Sequence, residues 1–170
     1  MMTEQELLET LAGYPFERHE HPAVFTSEAA DKFTSHLRGV PTKNLFLRDK
    51  KKKNYLLLVV RGDKRVDLAQ FSRDRGLSRV SLGSPEDLFE KLGVTPGSVT
   101  ILSVINDQNG QVRLFVDSDL SQEDFWHCHP LVNTATLIMK GEHLLEFVET
   151  CSHPAQMVNV PVVSENSREG

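Results

Sequence analysis

Long apolar runs and cysteines are scarce in this sequence of 170 residues. The longest apolar run, YLLLVV at 55–60, is far shorter than the roughly 20 residues that a membrane-spanning helix needs. The N-terminal MMTEQELLETLAG has acidic residues and no basic region before an apolar segment, so it does not resemble a secretory signal. Cys128 and Cys151 are too few for a disulfide framework in a chain of this length. We therefore expect a soluble, cytoplasmic protein without a membrane partner.

An excess of positive charge is also missing. The chain has 19 Lys and Arg against 24 Asp and Glu, which gives a formal net charge of −5. A protein that coats DNA is expected to present a broadly basic surface, so DNA is excluded as a partner. An anionic partner would have to meet a local patch, and the dense one lies at 43–53, within TKNLFLRDKKKKN.

Sequence motifs for metal binding and covalent catalysis are lacking as well. One residue separates His19 from His21, and one residue separates His127 from His129. The two members of such a pair share a face in a strand. No HExxH or paired CxxC accompanies them, so we interpret them as surface or capping residues and predict no metal and no other cofactor. The chain also has no GxSxG elbow, and neither cysteine lies in a recognisable nucleophile motif.

What the sequence does contain is an alternation of helix and strand signals. Thr3 and Glu6 have the spacing of a capping box, and Asp63 is a candidate start for a later helix. The runs NLFLR and YLLLVV predict paired strands around a lysine turn. Asn109-Gly110 predicts a hairpin that joins VTILSVIND to QVRLFVDSDL. The pattern predicts one α+β domain over residues 1–163 with a central sheet, followed by a polar tail at 164–170.

Two polar segments are candidates for a site. In the loop at 96–100, PGSVT, a glycine lets main-chain N–H groups approach a ligand and stabilise an oxyanion, although a plain turn before a strand explains it too. The lysines at 50–53 fit a solvated hairpin tip. Lys43 differs, because it opens an apolar strand and can direct its ammonium into a cleft, while Asn44 would point to the opposite face.

Several segments, in this order and spacing, carry a family resemblance: HEHPAVFTSEAA, TKNLFLRDKKKKNYLLLVV, LGSPEDLFEKLGVTPGSVT, IND and HPLVNTAT. Together they resemble the YbaK-type aminoacyl-tRNA editing family. The likeness is greatest to the free-standing ProX/PrdX-type relatives of the prolyl-tRNA synthetase insertion domain, which deacylate alanyl-tRNA(Pro). It runs from about residue 5 to about residue 160. The resemblance implies a mixed, partly barrel-like central sheet flanked by helices.

The resemblance also implies site residues. Lys43 matches the family's essential lysine, and the loop that begins at Gly97 matches its glycine loop, except that Ile101 replaces the family's proline. That replacement leaves the edited amino acid open. The expected catalytic residues are Lys43, Gly97 and Ser98. The expected substrate-binding residues are Asn44, Val99, Thr100, His129, Asn133, Thr134, Ala135 and Thr136. The expected tRNA contacts are Arg48 and Arg79.

The implied function is trans-editing: hydrolysis of a mischarged aminoacyl-tRNA, with alanyl-tRNA(Pro) as the leading substrate and prolyl-tRNA synthetase as a further candidate partner. In the family's proposed mechanism, a ribose hydroxyl of the terminal adenosine helps to activate water. Two alternatives stay open, a deacylase for another small amino acid and a non-catalytic tRNA- or protein-binding module of the same fold. Lys43 favours catalysis, because a binding module has no need of one particular lysine at the start of this strand.

Overall fold

The computed structural model describes residues 1–164, so the predicted tail at 164–170 lies outside the described residues apart from Ser164. The helices are α1 (Glu4–Thr10), α2 (Ser27–Thr34), α3 (Leu68–Asp74), α4 (Pro85–Leu92) and α5 (Gly141–Thr150). Short 3-10 helices cover Leu11–Gly13, Ile101–Asn106 and Ser118–Gln122. The strands are β1 (Glu17–Glu20), β2 (Thr42–Asp49), β3 (Tyr55–Arg61), β4 (Val80–Leu82), β5 (Val112–Asp117), β6 (Phe125–Cys128), β7 (Ala135–Lys140) and β8 (Gln156–Val158).

The helix starts follow the capping residues in the sequence. Thr3 and Glu6 form the predicted capping box at α1, in which each side chain bonds the other's backbone N–H. The Thr26 side chain accepts from the third residue of α2, Ala29. The predicted helix start at Asp63 is wrong, because the side chain that caps α3 is Asp67, four residues later.

The α+β class is confirmed, but the strands form two sheets. A five-stranded sheet has the order β4-β2-β3-β5-β8, and a three-stranded sheet has the order β1-β7-β6. The antiparallel pairing of β2 with β3 sets Lys43 opposite Val60. The expectation of one partly barrel-like sheet is corrected, since the described strands remain in two separate sheets that do not close into a barrel.

The predicted hairpin around Asn109-Gly110 is wrong. Gly110 does turn the chain, with a φ of +65°, but the segment before it is the 3-10 helix Ile101–Asn106. The Asp107 carboxylate accepts from the backbone N–H groups of Gln111 and Val112, which ends the helix in a loop. Strand β5 then pairs in parallel with β3. A short apolar run does not distinguish a buried helical segment from a strand, which is why the sequence misled here.

Hydrophobic side chains fill both faces of the larger sheet. Along β3, Leu57 and Val59 pack into a core shared with α1, α4 and α5, while Leu56, Leu58 and Val60 pack against α3. This double burial explains the uninterrupted apolar run YLLLVV, since a strand covered on one face only would alternate with polar residues. No helix in the described part of the chain is long and apolar enough to span a membrane.

Candidate active site

A cavity of about 340 Å³ lies where the two sheets meet α2. Its walls come from the 24–26 segment, α2, the start of β2, the 97–99 loop and the ends of β6 and β7. Six of the predicted site residues line it, namely Lys43, Asn44, Gly97, Val99, His129 and Thr136. The fold therefore brings together side chains that are more than 90 residues apart in sequence.

Lys43 lines this cavity and also an adjoining one of about 620 Å³, whose walls include Arg61, Asp63 and Arg65. Its Nζ donates a hydrogen bond to the backbone oxygen of Lys64. Burial lowers the pKa of Lys43, nearby Arg65 lowers it further, and the carboxylate of Asp63 opposes the shift. The ammonium is thus partly desolvated, and Lys43 borders both cavities.

Asn44 points away from Lys43, toward the neighbouring side chain on its own face. Its Nδ2 lies 3.5 Å from Thr42 Oγ1, and Thr42 Oγ1 donates in turn to the backbone oxygen of His127. This chain of contacts joins the start of β2 to β6, so it fixes the larger sheet against the smaller one beside the cavity.

In the glycine loop, only the first and third residues face the cavity. Gly97 has a φ of +92°, in the left-handed region, and Val99 lines the cavity with it. Ser98 is buried and its backbone N–H donates to the backbone oxygen of Thr95. Thr100 is fully buried and caps the next 3-10 helix, and Ile101, the residue that replaces the family's proline, is buried in the core. The structure therefore does not bring Ser98 or Thr100 to the cavity wall.

The interpretation of the histidines as surface or capping residues is wrong for His127 and His129. His127 is 5% exposed, and both it and His129 line the cavity. His129 Nδ1 lies 3.0 Å from the backbone oxygen of Ala135, and His21 Nε2 lies 2.8 Å from Thr136 Oγ1. For His129 the family resemblance was a sequence signal, whereas for His127 the only signal was that one residue separates the two histidines, which places both side chains on one face of a strand. In the described residues no group of three or more His, Cys, Asp or Glu converges as metal ligands.

Residues 133–136 divide between the cavity and its support. Of these only Thr136 lines the cavity, and β7 begins at Ala135, so Asn133 and Thr134 precede that strand. Asn133 Nδ2 donates to the backbone oxygen of Val24 at 2.8 Å, and the backbone oxygen of Thr134 accepts from His21. Asn133 and Thr134 thus hold the 21–24 segment at the cavity rim.

Arg48 and Arg79 lie far from the cavity. Arg48 is five residues beyond Lys43 on β2, which corresponds to about 17 Å along a strand, and it pairs with Asp87 at 3.9 Å. Arg79 is exposed just before β4, which pairs with that same far end of β2. Neither arginine therefore reaches the cavity in this structure.

Acid should destabilise the fold through the two cavity histidines. Burial lowers the pKa of His127 and of His129 below the ordinary 6.5. The unfolded chain then binds more protons than the folded one as the pH falls below 6.5, so stability is lost there, by up to about 1.4 kcal/mol per pH unit for each histidine. We expect the urea midpoint to fall between pH 7 and pH 5, and His129→Gln to lessen that fall. The exposed His36→Gln is the control, and an unchanged fall in the His129 variant would contradict the assignment.

Gly97 should not tolerate a side chain. A Cβ there would lie 3.0 Å from the Phe25 ring and 3.4 Å from Asn133 Nδ2, and the positive φ disfavours any L residue. We expect Gly97→Ala to displace the cavity rim and to lower the activity proposed below by about tenfold or more. Gly110→Ala is the matched control, since Gly110 also has a positive φ, +65°, with nothing within 4 Å of the added Cβ. Equal activity of the two variants would mean that the 97–99 loop does not contribute to the site.

The family model of the aminoacyl-tRNA editing domain matches residues 21–147, which include every residue that lines the two cavities. The chain belongs to the aminoacyl-tRNA editing domain family. Both cavities therefore lie within the editing domain, and Lys43 lines both of them.

Relatives and solved structures agree with this membership. The prolyl-tRNA synthetase associated domain-containing protein 1 of Danio rerio is 40% identical over 136 residues, 79% of this chain and 73% of the relative. The prolyl-tRNA editing protein ProX of Acetoanaerobium sticklandii is 32% identical over 76% of this chain and 79% of the relative. A solved structure described as a candidate trans-editing enzyme for prolyl tRNA synthetase has a TM-score of 0.71 at 20% identity, and covers 96% of this chain and 99% of its own. That structure supports the fold.

Proposed function

We propose that the protein hydrolyses the ester bond of mischarged aminoacyl-tRNA, with alanyl-tRNA(Pro) as its substrate. The observation that carries this proposal is the position of Lys43, which lines two adjoining cavities. Adjoining cavities suit a ligand in two parts, an aminoacyl group and the nucleoside that carries it. The editing-domain membership and the name of the ProX relative support the same reaction.

The chemistry suits a site without a covalent nucleophile. An aminoacyl ester is activated, so its hydrolysis depends on positioning and on stabilisation of the developing oxyanion. A free ribose hydroxyl of the terminal adenosine helps to activate the attacking water, as the family resemblance implies. The Lys43 ammonium contributes positive charge beside the ester carbonyl or beside the phosphate of the terminal nucleotide. The backbone at Gly97 and Val99 is the part of the loop that faces the cavity, whereas the Ser98 N–H already donates to Thr95.

Discrimination against proline is steric in this proposal. The smaller cavity is walled by β-branched and aromatic side chains, among them Val24, Phe25 and Val99. A pocket that fits a methyl side chain rejects a larger ring more readily than it rejects a smaller group, because one methylene is worth only about 1–3 kcal/mol of binding. Ile101 does not line the cavity, so its effect on specificity is confined to the shape of the loop backbone.

The experiment that tests this function is a deacylation assay with alanyl-, seryl- and cysteinyl-tRNA. We expect hydrolysis of alanyl-tRNA(Pro) to be fastest. A faster reaction with seryl- or cysteinyl-tRNA would favour the deacylase for another small amino acid. Binding of tRNA without hydrolysis of any of the three would leave the non-catalytic binding module as the function.

Contacts with the rest of the tRNA follow from where cations lie. Lys43, Arg61 and Arg65 line the larger cavity and are candidates to meet phosphates near the acceptor end. Glu28, Asp31 and Asp63 line it too, and Arg61 pairs with Asp63 and Glu123, so a phosphate would compete with these carboxylates. Arg48 stays a candidate for a tRNA contact only at about 17 Å from Lys43 along β2, and Arg79 only from its place just before β4. Docking on prolyl-tRNA synthetase stays a prediction from the family resemblance.

A further inference from the structure

Two residues that line the smaller cavity each have a buried hydrogen-bonding atom without a partner among the described residues. The two atoms are Asn44 Oδ1 and His127 Nδ1. A buried polar atom without a partner costs about 1–3 kcal/mol, so native proteins pair nearly all of them. Two such atoms on residues that line one cavity indicate a ligand group that completes their hydrogen bonds.

The chemistry of the neighbours identifies the free atom of Asn44 as an acceptor. Thr42 Oγ1 uses its hydrogen to donate to the backbone oxygen of His127. Toward Asn44, the Thr42 oxygen can therefore only accept, so the amide must present its Nδ2 to Thr42. The carbonyl oxygen of the Asn44 amide is then the atom left without a partner.

The free atom of His127 is an acceptor by the same reasoning. Its Nε2 lies 2.7 Å from the backbone oxygen of Arg38, which can only accept, so Nε2 carries the hydrogen. A neutral ring then has a lone pair on Nδ1. The nearby Lys43 ammonium does not complete either atom, since its Nζ donates to the backbone oxygen of Lys64.

Two acceptors on residues that line one cavity select a group with at least two N–H donors. We propose that Asn44 Oδ1 and His127 Nδ1 together bind the α-amino group of the aminoacyl ester. This inference rests on the proposed function for the identity of the ligand. The α-amino group is separated from the reacting carbonyl by a single carbon, so fixing it orients the ester. A hydroxyl offers one donor, and an N-acylated amino group offers one N–H on a bulkier substituent, so neither satisfies both acceptors.

The role of His127 predicts a particular substrate preference. Alanyl-tRNA and N-acetylalanyl-tRNA differ only at the α-amino group, and we expect the wild type to hydrolyse the free amine about 100-fold faster or more. A site built to bond a substrate N–H typically rejects an analogue without it by several orders of magnitude. Equal rates for the two esters would overturn the proposal without any variant being made.

Two substitutions separate the two ring nitrogens of His127. In His127→Asn the side-chain oxygen can occupy the place of Nδ1 but the bond to Arg38 is lost, whereas His127→Gln keeps a donor toward Arg38 and loses the acceptor. We expect His127→Gln to reduce the preference for the free amine by about tenfold or more, and His127→Asn to keep it within about threefold. The opposite order would show that His127 acts on the 38–40 segment and not on the substrate.

Binding of non-hydrolysable analogues tests the amino-group site separately from the deacylation reaction. The probes are 3′-alanylamido-3′-deoxyadenosine, which is not an ester, and its propionyl counterpart without the amino group, both measured by calorimetry. We expect the amine to bind at least about tenfold more tightly, and His127→Gln to remove that difference. If this holds but no tRNA is deacylated, the amino site stands and the enzyme proposal fails. If tRNA is deacylated and the two probes bind equally, the enzyme proposal stands and the amino site fails.

Discussion

Lys43→Met should lower kcat/KM for alanyl-tRNA(Pro) by about 100-fold or more, because removing one charged group at a developing oxyanion typically costs two to three orders of magnitude. Methionine keeps an unbranched apolar stem against the cavity wall while removing the ammonium that donates to the Lys64 backbone oxygen. The measurement is a single-turnover deacylation assay, with circular dichroism and a urea midpoint to confirm that the variant is folded.

Lys51→Met is the matched control for that prediction. Lys51 is an exposed lysine in the turn between β2 and β3, at the opposite end of the same strand pair from Lys43. Loss of its charge should change the rate by no more than about twofold, since an exposed charge at that distance is largely screened. Equal effects of the two substitutions would mean that Lys43 acts only through general electrostatic attraction of tRNA and takes no part in the reaction.

Lys64→Met should cost about 3–5 kcal/mol of the free energy of unfolding. The Lys64 side chain is 10% exposed, and its ammonium pairs with the carboxylate of Asp117, which is fully buried. Burial lowers the pKa of Lys64, but hydrogen bonds to Asp117 and Asp119 outweigh it and the net pKa is raised. The pair is therefore fully formed at neutral pH and is lost only as the pH rises through the raised pKa. Removing the lysine leaves a buried carboxylate without its counter-ion.

The double variant Lys64→Met, Asp117→Asn distinguishes an unpaired charge from a simple loss of packing. We expect it to recover part of the stability lost in Lys64→Met, because no isolated carboxylate remains. Urea unfolding of both variants supplies the measurement. If Lys64→Met lowers the free energy of unfolding by less than about 1 kcal/mol, then the substitution does not isolate the Asp117 carboxylate.

The backbone oxygen of Lys64 also accepts the hydrogen bond from Lys43. A folded Lys64→Met protein should therefore deacylate tRNA more slowly than wild type.

The parts of the fold that were predictable from sequence are those fixed by local rules. Thr3 and Glu6 specify the start of α1 through bonds within a single turn of helix. The run at 55–60 predicted a strand paired with its neighbour, and the structure explains its continuous apolar residues by burial on both faces. The failed hairpin depended instead on the Asp107 carboxylate, which captures two backbone N–H groups and redirects the chain.

The strand pattern and the family resemblance together predicted part of the cavity lining. Lys43 and Asn44 were expected on opposite faces, and the structure places their side chains toward the 64 loop and toward Thr42 respectively. The role of His127 was not visible, because its burial and its free nitrogen depend on the Arg38 backbone and on packing at the junction of the sheets. Ser98 was named from its place in a motif, but its exposure depends on how the loop turns. Sequence spacing does not contain such nonlocal contacts.

The proposed hydrolysis of alanyl-tRNA(Pro) is tested most directly by comparing its deacylation rate with that of prolyl-tRNA(Pro), the same tRNA charged with proline. We predict rapid hydrolysis of the alanyl ester and a rate for the prolyl ester at least about 100-fold lower, because in the proposed mode of binding the proline ring is bulkier than the methyl group of alanine beside Val24, Phe25 and Val99. An alanyl ester that is hydrolysed no faster than in buffer, or no faster than the prolyl ester, would contradict the account.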